Sequence, residues 1–178
     1  MAARAIIGIL LGILFLPVFY LLLYASGSNF SSWFWTLFGS GDFMGFMEGW
    51  MQAGALSTIA PLVGTYGLIP ALGAGSSLLG MYLPMFGTTF AVWAMIGAWS
   101  GAIERSAGRG IGVAVGIWLG WFIITMILYF VDPIMPVALL VMYMIPNIMQ
   151  LILAQILPLI MAILVAAIFG AMTKSEEF

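Results

Sequence analysis

Neither histidine nor cysteine occurs among the 178 residues. Without cysteine there are no disulfides and no thiol chemistry. Without histidine there is no bis-histidine haem and no histidine-built zinc site. Lysine occurs once, at Lys174, which excludes a Schiff base in the middle of the chain. No metal and no cofactor is expected. Charge is scarce as well: Asp, Glu, Lys and Arg together make up 6% of the residues, with a formal net charge of −2. No basic patch exists to meet phosphates, so nucleic acid is excluded as a partner.

What fills the chain is hydrocarbon. Hydrophobic residues make up 65% of it, and its mean hydropathy is +1.23. A soluble domain needs roughly a quarter or more of its surface charged, which this composition cannot supply, so membrane lipid is the solvent. The fold class expected is an all-α, polytopic transmembrane bundle, with residues 1–178 forming a single integral membrane domain.

The first apolar run, about Ala5 to Tyr24, is near 20 residues. A secretory hydrophobic region has about 7–15, so the run is expected to be a retained transmembrane helix. Trp33, Phe34 and Trp35 then suggest a short interfacial aromatic helix near 30–39. Phe43 to about Leu62 is long enough to enter the membrane. Residues 61–84 carry three prolines and five glycines, which predicts a broken or re-entrant segment. Phe86–Ile103 and Ile111–Val131 are further spans, separated by "ERSAGRG" (104–110). Val137–Met172 exceeds one crossing, and Pro146, Asn147 and Pro158 are positions where it can kink or divide. The count is four to six spans. Placing Arg4, Arg105, Arg109 and Lys174 in the cytoplasm puts both termini there, in a multi-pass protein of the cell (plasma or inner) membrane.

Small residues recur at helical spacing. "GDFMGFMEGWMQAG" (41–54) has Gly41, Gly45 and Gly49, then Ala53. Gly112, Gly116 and Gly120 form a second ridge, and Gly8/Gly12, Gly97/Gly101 and Ala162/Ala166/Gly170 form others. Residues four apart share a helix face. Burying apolar surface gains little inside lipid, so helices associate through the close approach that small residues permit. The ridges are therefore expected to be packing surfaces, within one subunit, between copies of a homo-oligomer, or against other membrane subunits.

Polar side chains at depth are few, and they are the candidate site. Glu48 and Gln52 are one turn apart. A carboxylate within a membrane costs about 2.5 kcal/mol or more, which protonation, a bond to Gln52 or contact with water would offset. Asn147, Gln150 and Gln155 form the second group; amides there serve either as contacts between helices or as contacts to a solute. Fourteen methionines suit an adaptable apolar interior or flexible core filling. Trp118 and Trp121, midway along a span, are expected to fill helix contacts.

"GSGD" (39–42) resembles the GxGD signature of intramembrane aspartyl proteases, with "PAL" at 70–72 and a second aspartate at Asp132. The resemblance implies that Asp42 and Asp132 share a proton and activate water. The order departs from that family, whose other aspartate precedes GxGD; here Asp132 follows Asp42 by 90 positions. Both aspartates also suit helix N-caps. The protease reading therefore stands behind two non-enzymatic ones, and no catalytic residue is assigned. The first is a small channel or carrier component for a neutral or apolar solute, since no cation lies at depth to meet an anion. The second is a non-catalytic, membrane-embedded subunit of a larger complex.

Overall fold

The computed structural model describes residues 2–24, 43–59, 76–132 and 148–174. Five helices occupy them: α1 (Ala2–Tyr24), α2 (Phe43–Ser57), α3 (Ser76–Glu104), α4 (Ala107–Val131) and α5 (Ile148–Met172). No strand occurs among the described residues. Three helices are long and apolar enough to cross a membrane: α1 over Ala3–Tyr20, α4 and α5. Residues 30–39 and 61–75, where an interfacial helix and part of the broken segment are expected, lie outside the described residues. The described remainder of that segment, 76–84, belongs to the unbroken helix α3.

The bundle differs from a soluble one at its surface. Its outer faces carry large aliphatic side chains: Leu10 is 61% exposed, Leu164 56% and Ile168 55%. Its interior combines small residues, with Ala114, Ala154, Ala162 and Ala166 fully buried, with large ones, among them Leu16, Ile96, Ile117, Leu151 and the rings of Trp93 and Trp121. The apolar outer faces are compatible with a hydrocarbon surround, and the small residues permit close backbone approach between helices.

Two kinds of glycine contact hold the helices. Between α1 and α4, aliphatic side chains seat on glycines in both directions: Val113 meets Gly8, Ile117 meets Gly12, Ile9 meets Gly116 and Ile13 meets Gly120. These two helices therefore run parallel. The most extensive pairing, α3 with α5, brings main chain to main chain. A Cβ added at Gly97 would lie 2.6 Å from the Ala162 carbonyl oxygen, and one at Gly101 would lie 2.5 Å from that of Ala166 and 2.6 Å from the Gly170 nitrogen. The turn into α4 completes this node, since a Cβ at Gly110 would lie 2.8 Å from the Gly101 Cα, and one at Gly170 2.7 Å from the Ala107 nitrogen. Arg105 makes the turn with a positive φ of 48°.

These pairings put the start of α1, the end of α3, the start of α4 and the end of α5 at one end of the bundle. Arg4, Arg105, Arg109 and Lys174 are all there, and all are exposed.

Helix α2 packs against both α1 and α4. Phe46 and Met47 line a groove with Leu14, Phe15 and Val18 of α1, while Thr58, just past the helix end, touches Thr125 of α4. Given the pairing of Gly12 with Ile117, the α1 residues are level with about 119–123 of α4. Further along α2, Gln52 reaches Asp132 at the end of α4, Gly54 lies against Trp121 and Thr58 touches Thr125, so α2 lies against the half of α4 away from the basic residues. Its first residues, Phe43 and Met44, are exposed, and from Ala53 to Ile59 every residue is buried.

Candidate functional site

The end of α2 lies inside the protein, where water cannot satisfy the last carbonyls of a helix. The sequence supplies the donors locally. The Ser57 hydroxyl donates to the Gly54 carbonyl at 2.6 Å, and the Thr58 hydroxyl to that of Ala55 at 2.7 Å. Such back-bonding competes with continued helix, and Pro61 follows close behind. This is why α2 stops at Ser57 rather than continuing to Leu62 as the hydropathy suggests. Helix α3 supplies the rest: the Trp93 indole N–H donates to the Ser57 carbonyl at 2.9 Å, and the Thr89 hydroxyl to that of Ile59 at 3.4 Å. The hydroxyls of Thr58 and Thr125 are 3.2 Å apart, and Thr125 also donates to the Trp121 carbonyl at 2.8 Å. Ser57, Thr58, Thr89 and Thr125 are all fully buried. Sequence reading missed this cluster; the available signal was three hydroxyl residues bracketing a glycine- and proline-rich break.

Trp121 secures the same region from α4. Its ring lies against Gly54, leaving no room for a Cβ there, and its N–H donates to the Ile13 carbonyl at 3.2 Å. Trp50 packs on it with ring centroids 5.2 Å apart. Its aromatic surface is thus spent on protein contacts. Beside Trp50, between α1 and α2, runs an apolar groove of about 310 Å³ lined by Leu14, Phe15, Val18, Phe46 and Met47.

The polar pair from the opening ridge gains a third member. The Gln52 amide nitrogen donates to Glu48 Oε1 at 3.3 Å and to Asp132 Oδ2 at 3.0 Å. Asp132 is the C-cap of α4, with its own N–H donating to the Leu128 carbonyl at 2.8 Å. Gln52 thus ties two carboxylates from different helices through one amino group. Glu48 is exposed and the contact to Asp132 is partly buried. The cluster marks the end of α4 opposite the four basic residues. Asp42, the other aspartate of the GxGD resemblance, lies outside the described residues.

The second amide group is partly described. Asn147 lies outside the described residues, Gln150 is half-buried near the start of α5, and Gln155 is fully buried on its inner face. Among the ridge glycines, Gly41 lies outside the described residues and Gly45 and Gly49 are half-buried on α2. Gly116 and Gly120 receive α1, whereas Gly112 is exposed, with nothing within 4 Å of an added Cβ. Glu104, which sequence reading left in a loop, is 7% exposed at the end of α3, and its Oε1 has no hydrogen-bond partner. Among the described residues no group of three acidic residues stands close enough to hold a metal.

Comparison with family models, with curated proteins and with solved structures finds no match to this chain.

Proposed function

We propose that the protein is a small channel or carrier component of the cell membrane, moving a neutral or apolar solute. The observation that carries this reading is the end of α2, buried among α3 and α4 at the level of Trp121 and Thr125. That level is about 9 Å or more inside the last residue of α4, at 1.5 Å per residue. Transporters build solute sites beside helices that end at depth, and here the hydroxyls of Ser57, Thr58, Thr89 and Thr125 gather at that end in a protected interior. The polar cluster of Glu48, Gln52 and Asp132, on the side of α2 toward the end of α4, forms the mouth, and the amides Gln150 and Gln155 line the path. Placing the basic end in the cytoplasm follows the positive-inside rule and puts both termini there.

The test is flux. The purified protein is reconstituted in vesicles, and uptake of uncharged solutes such as glycerol is followed. Glu48→Gln is expected to reduce that flux; equal flux in the two proteins makes the cluster structural. A second reading, a non-catalytic subunit docked on partner helices, is favoured by Gly108 and Gly112. Both lie on α4 with open space where a Cβ would stand, as a close-packing neighbour requires. Mass measurement in mild detergent separates the two. A defined homo-oligomer supports the channel, whereas a monomer that precipitates without partners supports the subunit.

A further inference from the structure

Gln155 lies level with Trp118, midway along α4, on the face of α5 that buries Leu151, Ala154, Pro158 and Ala162. Its side chain is 0% exposed, and neither Oε1 nor Nε2 has a hydrogen-bond partner. Trp118 does not relieve it, because the indole N–H donates to the main-chain carbonyl of Gln155, at 2.9 Å. Within one turn the helix also carries a proline. Pro158 has no N–H, so the Ala154 carbonyl lacks the donor that helix geometry provides elsewhere. A leucine or methionine would fill the same volume with no polar atom to satisfy, and a buried amide that bonds to nothing is costly.

We propose that Gln155 is a binding point for a neutral group that both donates and accepts a hydrogen bond: the hydroxyl of an internal water or of a small uncharged solute. The amide offers an acceptor oxygen and a donor NH₂, and the Ala154 carbonyl adds an acceptor within the same turn. Carbonyls freed by proline in membrane helices are commonly met by ordered water, and a buried water needs about two to four polar partners. An ion does not fit, because one amide oxygen without a countercharge cannot replace its hydration at mid-depth. The solute arm rests on the transport reading above; the water arm stands without it.

The chain has three glutamines, Gln52, Gln150 and Gln155, so their side-chain amides are separable by magnetic resonance. The full chain is prepared in nanodiscs with isotope-labelled glutamine, and the Gln155 signal is assigned by its loss in Gln155→Leu. Should that variant not fold, Gln52→Asn and Gln150→Asn assign it by elimination. Cross-relaxation between the Gln155 NH₂ and water identifies an internal water. A saturable shift of that signal on titration with glycerol identifies a solute site. Either supports the proposal. A Gln155 amide that shows no contact with water and no response to glycerol overturns it. Absence of glycerol flux alongside an intact water contact sinks the transport reading alone.

Discussion

Trp93 illustrates how a single side chain holds the interior of this protein. Its ring is fully buried, and its N–H meets the carbonyl of Ser57 at the point where α2 has run out of its own donors. Trp93→Phe keeps most of the ring and removes the donor. The expected loss is about 1–3 kcal/mol, the cost of a buried carbonyl left unmet, read as a lower melting temperature in detergent. Gly54→Ala makes the complementary test, because the Trp121 ring occupies the place of the new Cβ. Displacing a fully buried ring is expected to cost about 1–3 kcal/mol, and thermal unfolding measures it. At this scale the sequence was partly legible. Glu48 and Gln52 are one turn apart, so their bond follows from helix geometry. The bond from Gln52 to Asp132 does not, since 80 residues separate them and only tertiary packing brings them together. The packing role of Trp121 was legible because a tryptophan placed away from the interface needs neighbours, but Gly54 as its seat was not.

At the scale of the element, spacing predicts faces and not partners. The ridges Gly97/Gly101 and Ala162/Ala166/Gly170 are visible as fourfold repeats, and in the structure they meet each other. The ridge Gly112/Gly116/Gly120 divides: two of its members receive isoleucines from α1 and one faces outward. A pair of substitutions separates the two environments. Gly101→Ala drives a methyl against the α5 main chain, which cannot yield as a flexible side chain would, and is expected to cost about 1–3 kcal/mol or more. Gly112→Ala meets nothing and is expected to gain about 0.5–1 kcal/mol, the entropy advantage of alanine within a helix. Thermal unfolding of both variants in one detergent checks this, and equal effects would contradict the distinction. Helix lengths show the same limit. Helix α4 begins at Ala107, four residues before the Ile111 that hydropathy suggests, whereas the end of α3 near Ile103 was legible from the charged turn that follows. The end of α2 at Ser57 was not, because its hydropathy continues and only hydroxyl back-bonding and capping from α3 stop it.

At the scale of the whole molecule, composition and three long apolar helices point to lipid as the solvent, and the structure adds which ends lie together. Four basic residues that the sequence scatters from Arg4 to Lys174 converge on one end, because α1 runs parallel to α4 while α3 and α5 run opposite to it. The placement of α2 against both α1 and α4 had no signature in the sequence, since periodicity describes a helix's faces and not its partners. The central claim is that α1, α4 and α5 stand in hydrocarbon with the basic residues at one surface. The natural absence of cysteine makes single-cysteine labelling in sealed vesicles the most direct measurement of it. Gly108→Cys and Lys174→Cys are expected to react with a membrane-impermeant maleimide from one side. Val131→Cys is expected to react from the other side, and the outward-facing Ile123→Cys and Leu164→Cys from neither. Labelling of Ile123→Cys and Leu164→Cys from water, or of Gly108→Cys and Val131→Cys from the same side, would contradict the account.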